Sequence, residues 1–417
     1  MSTEHQFENK CESSTCRSCG QVGLVPVLDL GMMPLSDGML TERQLGLKEP
    51  VYPLQLACCG SCSLVQILET VPPEELFCHD YPYYSSFCDE LLTHSKENAL
   101  SLIKSRKLDE SSLVIELASN DGYLLRNFVE KGITVLGIDP AEGPAEAAEK
   151  VGVTTLNAFF GKKLAQLLQK KGRMADVIIA NNVLAHVADT NGFVEGIEIL
   201  LKDDGLSVIE VPYVCELVNN CQFDTIYHEH LCYFSVTSLD NLFRRHNLFL
   251  NDIMRLSIHG GSLRLYIEHK ENVNDTVKSM LDCEKQNGVD TPEYYRDFSH
   301  KVNLMRQKIR HLLRSLKSDG KKVAAYGAAA KGTIMLNYIG VGNETIDYVV
   351  DRNVHKQGKY MPGMRLPIYE PERIVRDMPD YVMILPWNFK DEIISQQSSY
   401  RAKGGRFIVP IPEPVIV

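Results

Sequence analysis

The sequence predicts an α/β protein in which a central Rossmann-like domain lies between a small cysteine-rich amino-terminal module and a second, carboxyl-terminal Rossmann-like domain. Two Cys-x-x-Cys pairs bracket one segment near the amino terminus, short apolar strands alternate with helical patterns in the middle, and the same alternation returns after a long amphipathic helix. A chain of 417 residues also exceeds one ordinary hydrophobic core. We expect domains at 1–75, 76–300 and 301–417.

Composition and charge exclude several classes of function. Hydrophobic residues make up 44% of the chain and charged residues 24%, which is typical of a soluble globular protein. The net charge of −10 argues against a nucleic-acid partner, because phosphate neutralisation needs a basic surface. We find no apolar run of the ~18 residues that a membrane span needs, no signal peptide and no long heptad pattern. We therefore expect a cytoplasmic protein without a membrane partner. The sequence does not fix the oligomeric state, and a monomer is one option.

Four of the twelve cysteines have the spacing of a metal site. In "CRSC" and "CGSC", a tight turn aims two thiolates at one ion, and two such pairs complete a tetrahedral structural zinc site. Redox-active or buried free thiols are the alternative, and the neighbouring Cys11 and Cys58 leave the ligand set open. Because four thiolates leave no open coordination position, the zinc ion would stabilise the module rather than catalyse. The predicted ligands are Cys16, Cys19, Cys59 and Cys62.

The middle segment "SSLVIELASNDGYLLRNFVEKGITVLGIDP" has the order of a nucleotide-binding fold. "LVIEL" predicts a buried parallel strand, "YLLRNFVEKG" an amphipathic helix, and "TVLGID" a second strand that ends at Asp139, where a carboxylate can accept both ribose hydroxyls. The turn lacks the G-x-G-x-x-G pattern that accommodates a pyrophosphate, which favours a nucleoside without phosphates, namely S-adenosylmethionine. The residues expected at the amino-acid end of this cofactor are Glu116, Ser119, Asn120, Asp121 and Gly122.

A third strand adds polar groups at the same edge of the predicted sheet. "ADVIIANNVLAHVAD" predicts a strand over 176–180, followed by Asn181, Asn182 and His186, and "LLKDDGLSVIEVPY" predicts another strand after a glycine-containing turn. Ligands of open α/β sheets bind at the carboxyl ends of their strands. Each polar residue taken alone could be a helix cap, but the ordered set favours a cofactor site.

The stretch "TIYHEHLCYFS" at 225–235 has three interpretations. His228 and His230 could bind a metal ion, although no third ligand lies at a familiar spacing. The histidines and tyrosines could instead satisfy each other in a buried structural network. In the third interpretation His230 is a general base, and Tyr227 or Glu229 orients it or polarises a substrate oxygen. Methyl transfer to carbon needs such a base, but the residues alone do not decide between a proton-transfer site and a structural network.

Taken together, these stretches resemble the three-domain sugar C-methyltransferases, which act on nucleotide-linked keto-deoxysugars. The resemblance covers nearly the whole chain. Its motifs are the two CxxC pairs followed by "LVQ", then "DYPYYSS" at 80–86, "ELASNDGYLL", "ANNVLAHVAD", "YHEHLCYFS", "HGGSLR" at 259–264 and "YGAAAKGTIMLNY" at 326–338. Their order and spacing are more specific than any one of them.

The resemblance implies a class I methyltransferase domain that uses S-adenosylmethionine to methylate the carbon next to the keto group of a thymidine-diphosphate sugar. It implies that His230 is the base, that Tyr227 and Glu229 lie beside the sugar, and that a tyrosine of "YPYYSS", with Tyr83 favoured, contacts it. The further residues expected to bind substrate are Tyr81, Tyr84, His228, His259, Arg264 and Lys331.

Two glycine-containing segments have both a binding and a structural interpretation. "HGGSLR" could place Arg264 against a phosphate, or it could be a hairpin turn before a strand. "KVAAYGAAAKG" could place Gly327, Lys331 and Gly332 around a diphosphate, or its small residues could serve only helix–sheet packing. The resemblance favours binding for Lys331, because the carboxyl-terminal domain of the family lies near the sugar nucleotide.

The leading functional hypothesis is a C-methyltransferase that acts on a nucleotide-linked keto sugar. A methyltransferase for a non-sugar carbon acid or an oxygen acceptor is the alternative. A nucleotide-sugar oxidoreductase is disfavoured because "YGAAAKG" lacks the dinucleotide glycine spacing, and an inactive binding protein is disfavoured because "YHEH" is intact.

Overall fold

The computed structural model describes residues 3–77 and 83–417, with side chains from residue 5 onward. Within these residues the strands form a four-stranded, a seven-stranded and a six-stranded sheet. The two larger sheets are mostly parallel and alternate with helices, which confirms the predicted α/β class with two Rossmann-like domains. No helix in the described ranges has the length and apolar character required to cross a bilayer.

The amino-terminal module is an antiparallel sheet. Its elements are α1 Thr3–Ser13, β1 Val25–Pro34, β2 Val51–Cys58, β3 Val65–Ile67 and α2 Pro73–Phe77. The fourth strand of this sheet, Cys232–Tyr233, comes from far along the chain and pairs with β3. The histidine-containing stretch that precedes this strand is therefore fixed to the module by main-chain pairing.

The middle domain alternates strands and helices. Its elements are α3 Asp89–Arg106, β4 Leu113–Leu117, α4 Arg126–Val129, β5 Thr134–Asp139, α5 Glu142–Lys150, β6 Thr155–Asn157, α6 Lys162–Lys170, β7 Ala175–Asn181, α7 Thr190–Leu200, β8 Leu201–Pro212, α8 Val214–Asn219, β9 Cys232–Tyr233, α9 Val236–Arg244, β10 Phe249–Leu256 and β11 Ser262–Glu268. The sheet order is β10-β11-β8-β7-β4-β5-β6, with β10 and β11 antiparallel. The carboxyl ends of β4, β5 and β7 therefore lie side by side.

Two local predictions in this domain need correction. The helix expected over "YLLRNFVEKG" is regular only at Arg126–Val129, because Asn127 and Phe128 donate hydrogen bonds three residues back, as in a tighter 3₁₀ turn. The glycine-containing turn expected before β8 lies inside a continuous strand. The pairing with β7 is interrupted between Leu201 and Leu206, which accommodates the glycine.

The carboxyl-terminal part repeats the α/β pattern. After α10 Asp275–Gln286, which packs on α9 and β10 of the middle domain, its elements are α11 Phe298–Ser318, β12 Val323–Tyr326, α12 Ala330–Ile339, β13 Val349–Val350, β14 Ile368–Tyr369, α13 Glu372–Asp377, β15 Tyr381–Ile384, α14 Lys390–Gln396, α15 Ser398–Ala402, β16 Arg406–Val409 and β17 Val415–Ile416. The sheet order is β14-β13-β12-β15-β16-β17, parallel except for the last pair. A loop of the amino-terminal module docks on this domain, where Leu40 and Tyr360 exchange two backbone hydrogen bonds of 2.9 and 2.8 Å.

Candidate active site

The predicted cofactor residues gather at the carboxyl ends of β4, β5 and β7. The turn after β4 is tight, with Ala118, Asn120 and Gly122 at φ of 57°, 48° and 75°. A side chain on Gly122 would lie 3.1 Å from Val151 and from Val153, so the turn tolerates only glycine there. This backbone conformation turns the main chain back over the sheet edge.

Asp139 is held at the end of β5 by two backbone donors. Its Oδ2 accepts from the Asn120 amide and its Oδ1 accepts from the Ala141 amide, both at 2.8 Å. Burial raises the pKa of Asp139 to about 6, against the effect of these two hydrogen bonds. Each carboxylate oxygen keeps a second lone pair, which suits two ribose hydroxyls.

Several buried polar atoms at this edge have no hydrogen-bond partner within the described residues. They are Glu116 Oε2, Ser119 Oγ, Asp121 Oδ1, Asn181 Oδ1 and His186 Nδ1. A buried polar atom left unsatisfied costs about 1–3 kcal/mol, so such a group of atoms indicates a polar ligand. Burial, Asp139 and Asp121 raise the pKa of Glu116 well above its ordinary value. The acids favour a ligand with positive charge, and S-adenosylmethionine carries a sulfonium and an ammonium group.

Residues 83–87 lie across the turn after β4. The Asn120 side chain accepts from the Ser85 amide at 2.9 Å and donates to the Tyr83 carbonyl at 3.1 Å. The ring of Tyr84 stacks on His355 of the carboxyl-terminal domain, with centroids 4.8 Å apart and planes 15° apart. Tyr83 is 40% exposed. Tyr81, the third tyrosine considered, lies outside the described residues.

His230 is oriented through both ring nitrogens. Nδ1 lies 2.9 Å from the Thr225 carbonyl oxygen, which can only accept, so Nδ1 carries the proton. Nε2 is then the unprotonated nitrogen and accepts from the Tyr227 hydroxyl at 2.8 Å. The tautomer assigned from this network places the basic lone pair of a neutral imidazole beside a tyrosine hydroxyl.

Electrostatics keep this imidazole neutral. Burial lowers the pKa of His230 well below its ordinary value, and the nearby His186 and Lys331 act in the same direction. The His186 ring meets the His230 ring edge-on, with centroids 4.7 Å apart. His186, which was expected at the cofactor edge, thus connects the cofactor residues to the proposed base.

Glu229 is buried and faces the amino-terminal module. Its Oε2 accepts from the Ser36 hydroxyl at 2.8 Å. Burial, together with the neighbouring Asp37, raises the pKa of Glu229 to about 7. A carboxyl group with this pKa is partly protonated at neutral pH and can then donate a hydrogen bond.

His228 lies on the module side of the same turn. Its Nε2 is 3.3 Å from the Pro53 carbonyl oxygen, and its ring meets Tyr52 edge-on at 5.8 Å. The structure therefore separates His228 from the His230 ring environment. Within the described residues, the cysteine cluster is the only group of three or more possible metal ligands, so a metal site built on His228 and His230 has no further ligand there.

Arg264 is already paired within the protein. Its guanidinium forms a buried ion pair with Glu210 at 2.7 Å, and His94 lies 2.9 Å from the same carboxylate. His259 adopts a left-handed conformation at φ 57° and meets Phe389 edge-on. Substrate binding by Arg264 or His259 stays a prediction.

Lys331 lies where the middle and carboxyl-terminal domains meet. Its Nζ donates to Asn388 Oδ1 at 2.6 Å and lies 4.7 Å from the Trp387 ring centroid. The Trp387 indole donates to the buried Asp224 at 2.8 Å. A side chain on Gly327 would lie 2.4 Å from Pro386, which supports the packing interpretation of this glycine.

The four predicted zinc ligands converge. The sulfur atoms of Cys16, Cys19, Cys59 and Cys62 all lie within 4.8 Å of one another. Cys11 and Cys58 are buried outside this cluster, and burial raises the pKa of each thiol to about 12. Four sulfur ligands in this arrangement fit a structural zinc ion with no open position.

Some residues of the site could not be found from motifs. Ser36 and Asp37 come from an unremarkable loop of the module, and Thr225 contributes only its carbonyl. Asp224 and Trp387 face each other across 163 positions of sequence. A single sequence carries no signal for such long-range contacts. The sequence shows only that Ser36 and Asp37 belong to the predicted zinc module.

Comparisons with known proteins agree with this organisation. Three family models match, described as "Putative zinc binding domain" over residues 16–77, "Methyltransferase domain" over 88–250 and "C-methyltransferase C-terminal domain" over 257–412. The C-methyltransferase NovU of Streptomyces niveus is 36% identical over 407 residues, which cover 96% of each chain. A ubiquinone biosynthesis O-methyltransferase of Bartonella bacilliformis is 31% identical over 98 residues, 23% of this chain and 39% of its own.

Among solved structures, the magnesium protoporphyrin IX methyltransferase (ChlM) of Synechocystis PCC 6803 with bound SAH matches with a TM-score of 0.35 and 15% identity, over 43% of this chain and 83% of that chain. The family matches and the site together define an S-adenosylmethionine-dependent methyltransferase with a structural zinc site. The chain belongs to the multi-domain C-methyltransferase family, because the match to such an enzyme spans nearly its full length. It is an enzyme that transfers a methyl group to carbon in a small-molecule substrate.

Proposed function

We propose that the enzyme methylates the carbon next to the keto group of a nucleotide-linked, thymidine-diphosphate-type deoxysugar. The observation that carries this proposal is the His230–Tyr227 pair. A neutral imidazole supplies the base that removal of a proton from a carbon acid requires, and the adjacent tyrosine hydroxyl is a hydrogen-bond donor for the oxygen that becomes negative. The resemblance to sugar C-methyltransferases supplies the substrate class.

The proposed chemistry begins with proton removal. Nε2 of His230 takes the proton from the carbon, and the electron pair of the broken C–H bond moves onto the carbonyl oxygen as an enolate. Substrate binding must turn the Tyr227 hydroxyl away from Nε2, which exposes the basic lone pair. That hydroxyl and a protonated Glu229 are then the candidate donors to the enolate oxygen. When bound, S-adenosylmethionine would supply an electrophilic methyl group to the nucleophilic carbon, with the electron pair of the S–CH3 bond kept by sulfur and S-adenosylhomocysteine as the leaving group. The imidazolium at His230 then releases its proton to solvent.

Three parts of the site have separate roles in this proposal. The edge formed by Glu116, Asp139 and Asn181 holds the cofactor. Tyr227, Glu229 and His230, with Tyr83, hold the sugar ring. Lys331 is the cation that we assign to the diphosphate, because its Nζ lies between the middle and carboxyl-terminal domains.

A labelling experiment tests this function. The purified enzyme is incubated with methyl-labelled cofactor and a panel of thymidine-diphosphate keto sugars, and the labelled position is read by NMR. We expect the label on the carbon next to the ketone. We also expect that carbon to exchange its proton in D2O without methyl transfer when S-adenosylhomocysteine replaces the cofactor. Label on oxygen, or label only in non-sugar acceptors, would refute the proposed acceptor.

A further inference from the structure

A buried lysine lies between the carboxyl-terminal domain and the amino-terminal module. Lys356 belongs to the carboxyl-terminal domain and is 5% exposed. Its Nζ donates to the Ala328 carbonyl at 2.7 Å and lies 3.3 Å from Asp37 Oδ1 of the amino-terminal module. Removing a lysine from water is costly unless its charge is paired, so this ion pair is a specific feature of the interface.

The loop that carries Asp37 contacts the acceptor site. The neighbouring Ser36 donates its hydroxyl to Glu229 at 2.8 Å, and the carbonyl of Ser36 accepts from Thr333 of α12 at 2.9 Å. The carboxyl-terminal domain therefore holds this loop by its main chain and through Lys356. On its other side, the same loop touches the carboxyl group beside the proposed base.

The charges near Glu229 come from several elements. Asp37 of the module raises the pKa of Glu229, and burial acts in the same direction. Tyr233 of β9 interacts electrostatically with Glu229. His186 interacts electrostatically with Asp37. Lys356 is the cation paired with Asp37, at an Nζ–Oδ1 distance of 3.3 Å.

We propose that Lys356 is a positioning residue for the methyl transfer: its ion pair with Asp37 fixes both the position and the charge of Glu229. The part that concerns methyl transfer rests on the proposed function, since it uses Glu229 as a donor to the substrate oxygen. The electrostatic part does not depend on the identity of the substrate. Through this contact the carboxyl-terminal domain acts on the reaction centre without touching the reacting atoms.

Two substitutions move the titration of Glu229 in opposite directions. In Lys356→Met, the negative charge of Asp37 is no longer paired, so Glu229 holds its proton to higher pH. In Asp37→Asn, the repelling carboxylate is gone, so Glu229 loses its proton at lower pH. A general structural defect would not produce opposite shifts. Lys356→Arg keeps the charge and is the matched control.

Infrared titration of the full-length protein measures this directly. The band of the protonated carboxyl group is assigned to Glu229 by its loss in Glu229→Gln. We expect the midpoint to rise by about one pH unit in Lys356→Met, to fall by a similar amount in Asp37→Asn, and to stay in place in Lys356→Arg. S-adenosylmethionine affinity, measured by calorimetry, confirms that each variant is folded.

Unchanged midpoints, or shifts of the same sign in Lys356→Met and Asp37→Asn, would overturn the inference. If Lys356→Met does not fold, the infrared midpoint of Glu229 is measured instead in Asp37→Asn and in the Lys356→Met/Asp37→Asn double variant, which has neither charge. Those two midpoints then test the inference. With an accepted sugar nucleotide, the alkaline limb of the rate must follow the infrared midpoint. If no sugar nucleotide is methylated, the proposed function fails. The infrared titration still tests whether the Lys356–Asp37 ion pair controls the charge of Glu229.

Discussion

The cofactor half and the acceptor half of the site are built in different ways. The cofactor half consists of loops that follow β4, β5 and β7, all between residues 116 and 186 of one sheet. The acceptor half contains His230 and places Glu229 against Ser36 of the module, whose neighbour Asp37 pairs with Lys356 of the carboxyl-terminal domain. The first half depends on the topology of one sheet, and the second on the docking of three domains. Cofactor binding should therefore survive changes that abolish turnover.

Removal of the zinc ion should break this comparison most strongly. Apparent zinc binding free energies in small structural sites are about 10–16 kcal/mol, so the module should unfold when a chelator removes the ion. The loop carrying Ser36 and the strand that pairs with β9 are then lost, and we expect turnover to disappear. S-adenosylmethionine affinity should change only a few-fold. Calorimetry and methyl transfer, each with and without chelator, measure the two halves.

Cys59→Ser should reproduce the effect of the chelator, whereas Cys283→Ser at an exposed position should not. A loss of cofactor affinity as large as the loss of turnover would show that the two halves are not separable.

His230→Gln should abolish the acceptor chemistry alone. A general base contributes about 10²–10⁴-fold to a rate, and glutamine cannot take the proton. We expect turnover to fall by that factor, with cofactor affinity unchanged and no exchange of the substrate proton in D2O. His311→Gln, on the exposed face of α11, is the control. Full activity of the His230 variant would remove this residue from the mechanism.

Asp139→Asn should affect the opposite half. Hydrogen bonds to a charged group contribute about 1.5–3 kcal/mol, which corresponds to cofactor binding that is roughly 10- to 100-fold weaker. The rate at saturating cofactor should stay close to that of the wild type. Asp176→Asn is the control, because Asp176 pairs with Lys202 and the Leu113 amide at the other end of the strands. Equal losses in both variants would indicate a general effect on the sheet.

The same division explains what the sequence could predict. The limits of β4 and β5 follow from local apolar patterns, and the zinc ligands follow from short spacings, so these predictions need only neighbouring residues. The contact between Ser36 and Glu229 joins residues 193 positions apart, and no periodic pattern encodes it. The zinc module and the cofactor strands can therefore be predicted from the sequence, while the contacts around the acceptor cannot.

His228 illustrates the limit within a single motif. A spacing of two residues puts His228 and His230 on one face only if the chain is extended. The chain turns at this point, so His228 packs on Tyr52 while His230 meets Tyr227. The tautomer of His230 depends on the main-chain carbonyl of Thr225, which residue identity does not reveal. The motif indicates where the proposed site lies, and the assembled fold determines which nitrogen of His230 is unprotonated.

Among these predictions, the pH dependence of the methyl-transfer rate gives the smallest change at neutral pH. It is also the sharpest test of the acceptor half. The base works when His230 is neutral, so the rate should fall only at acid pH, below the ordinary histidine pKa, because burial lowers the pKa of this imidazole. The donor works when Glu229 is protonated, so the rate should fall as pH rises through about 7. In Glu229→Gln the amide donates at every pH, so the alkaline limb should vanish while the acid limb remains. If the limb near pH 7 persists in this variant, another group controls it and Glu229 is not the donor to the enolate oxygen.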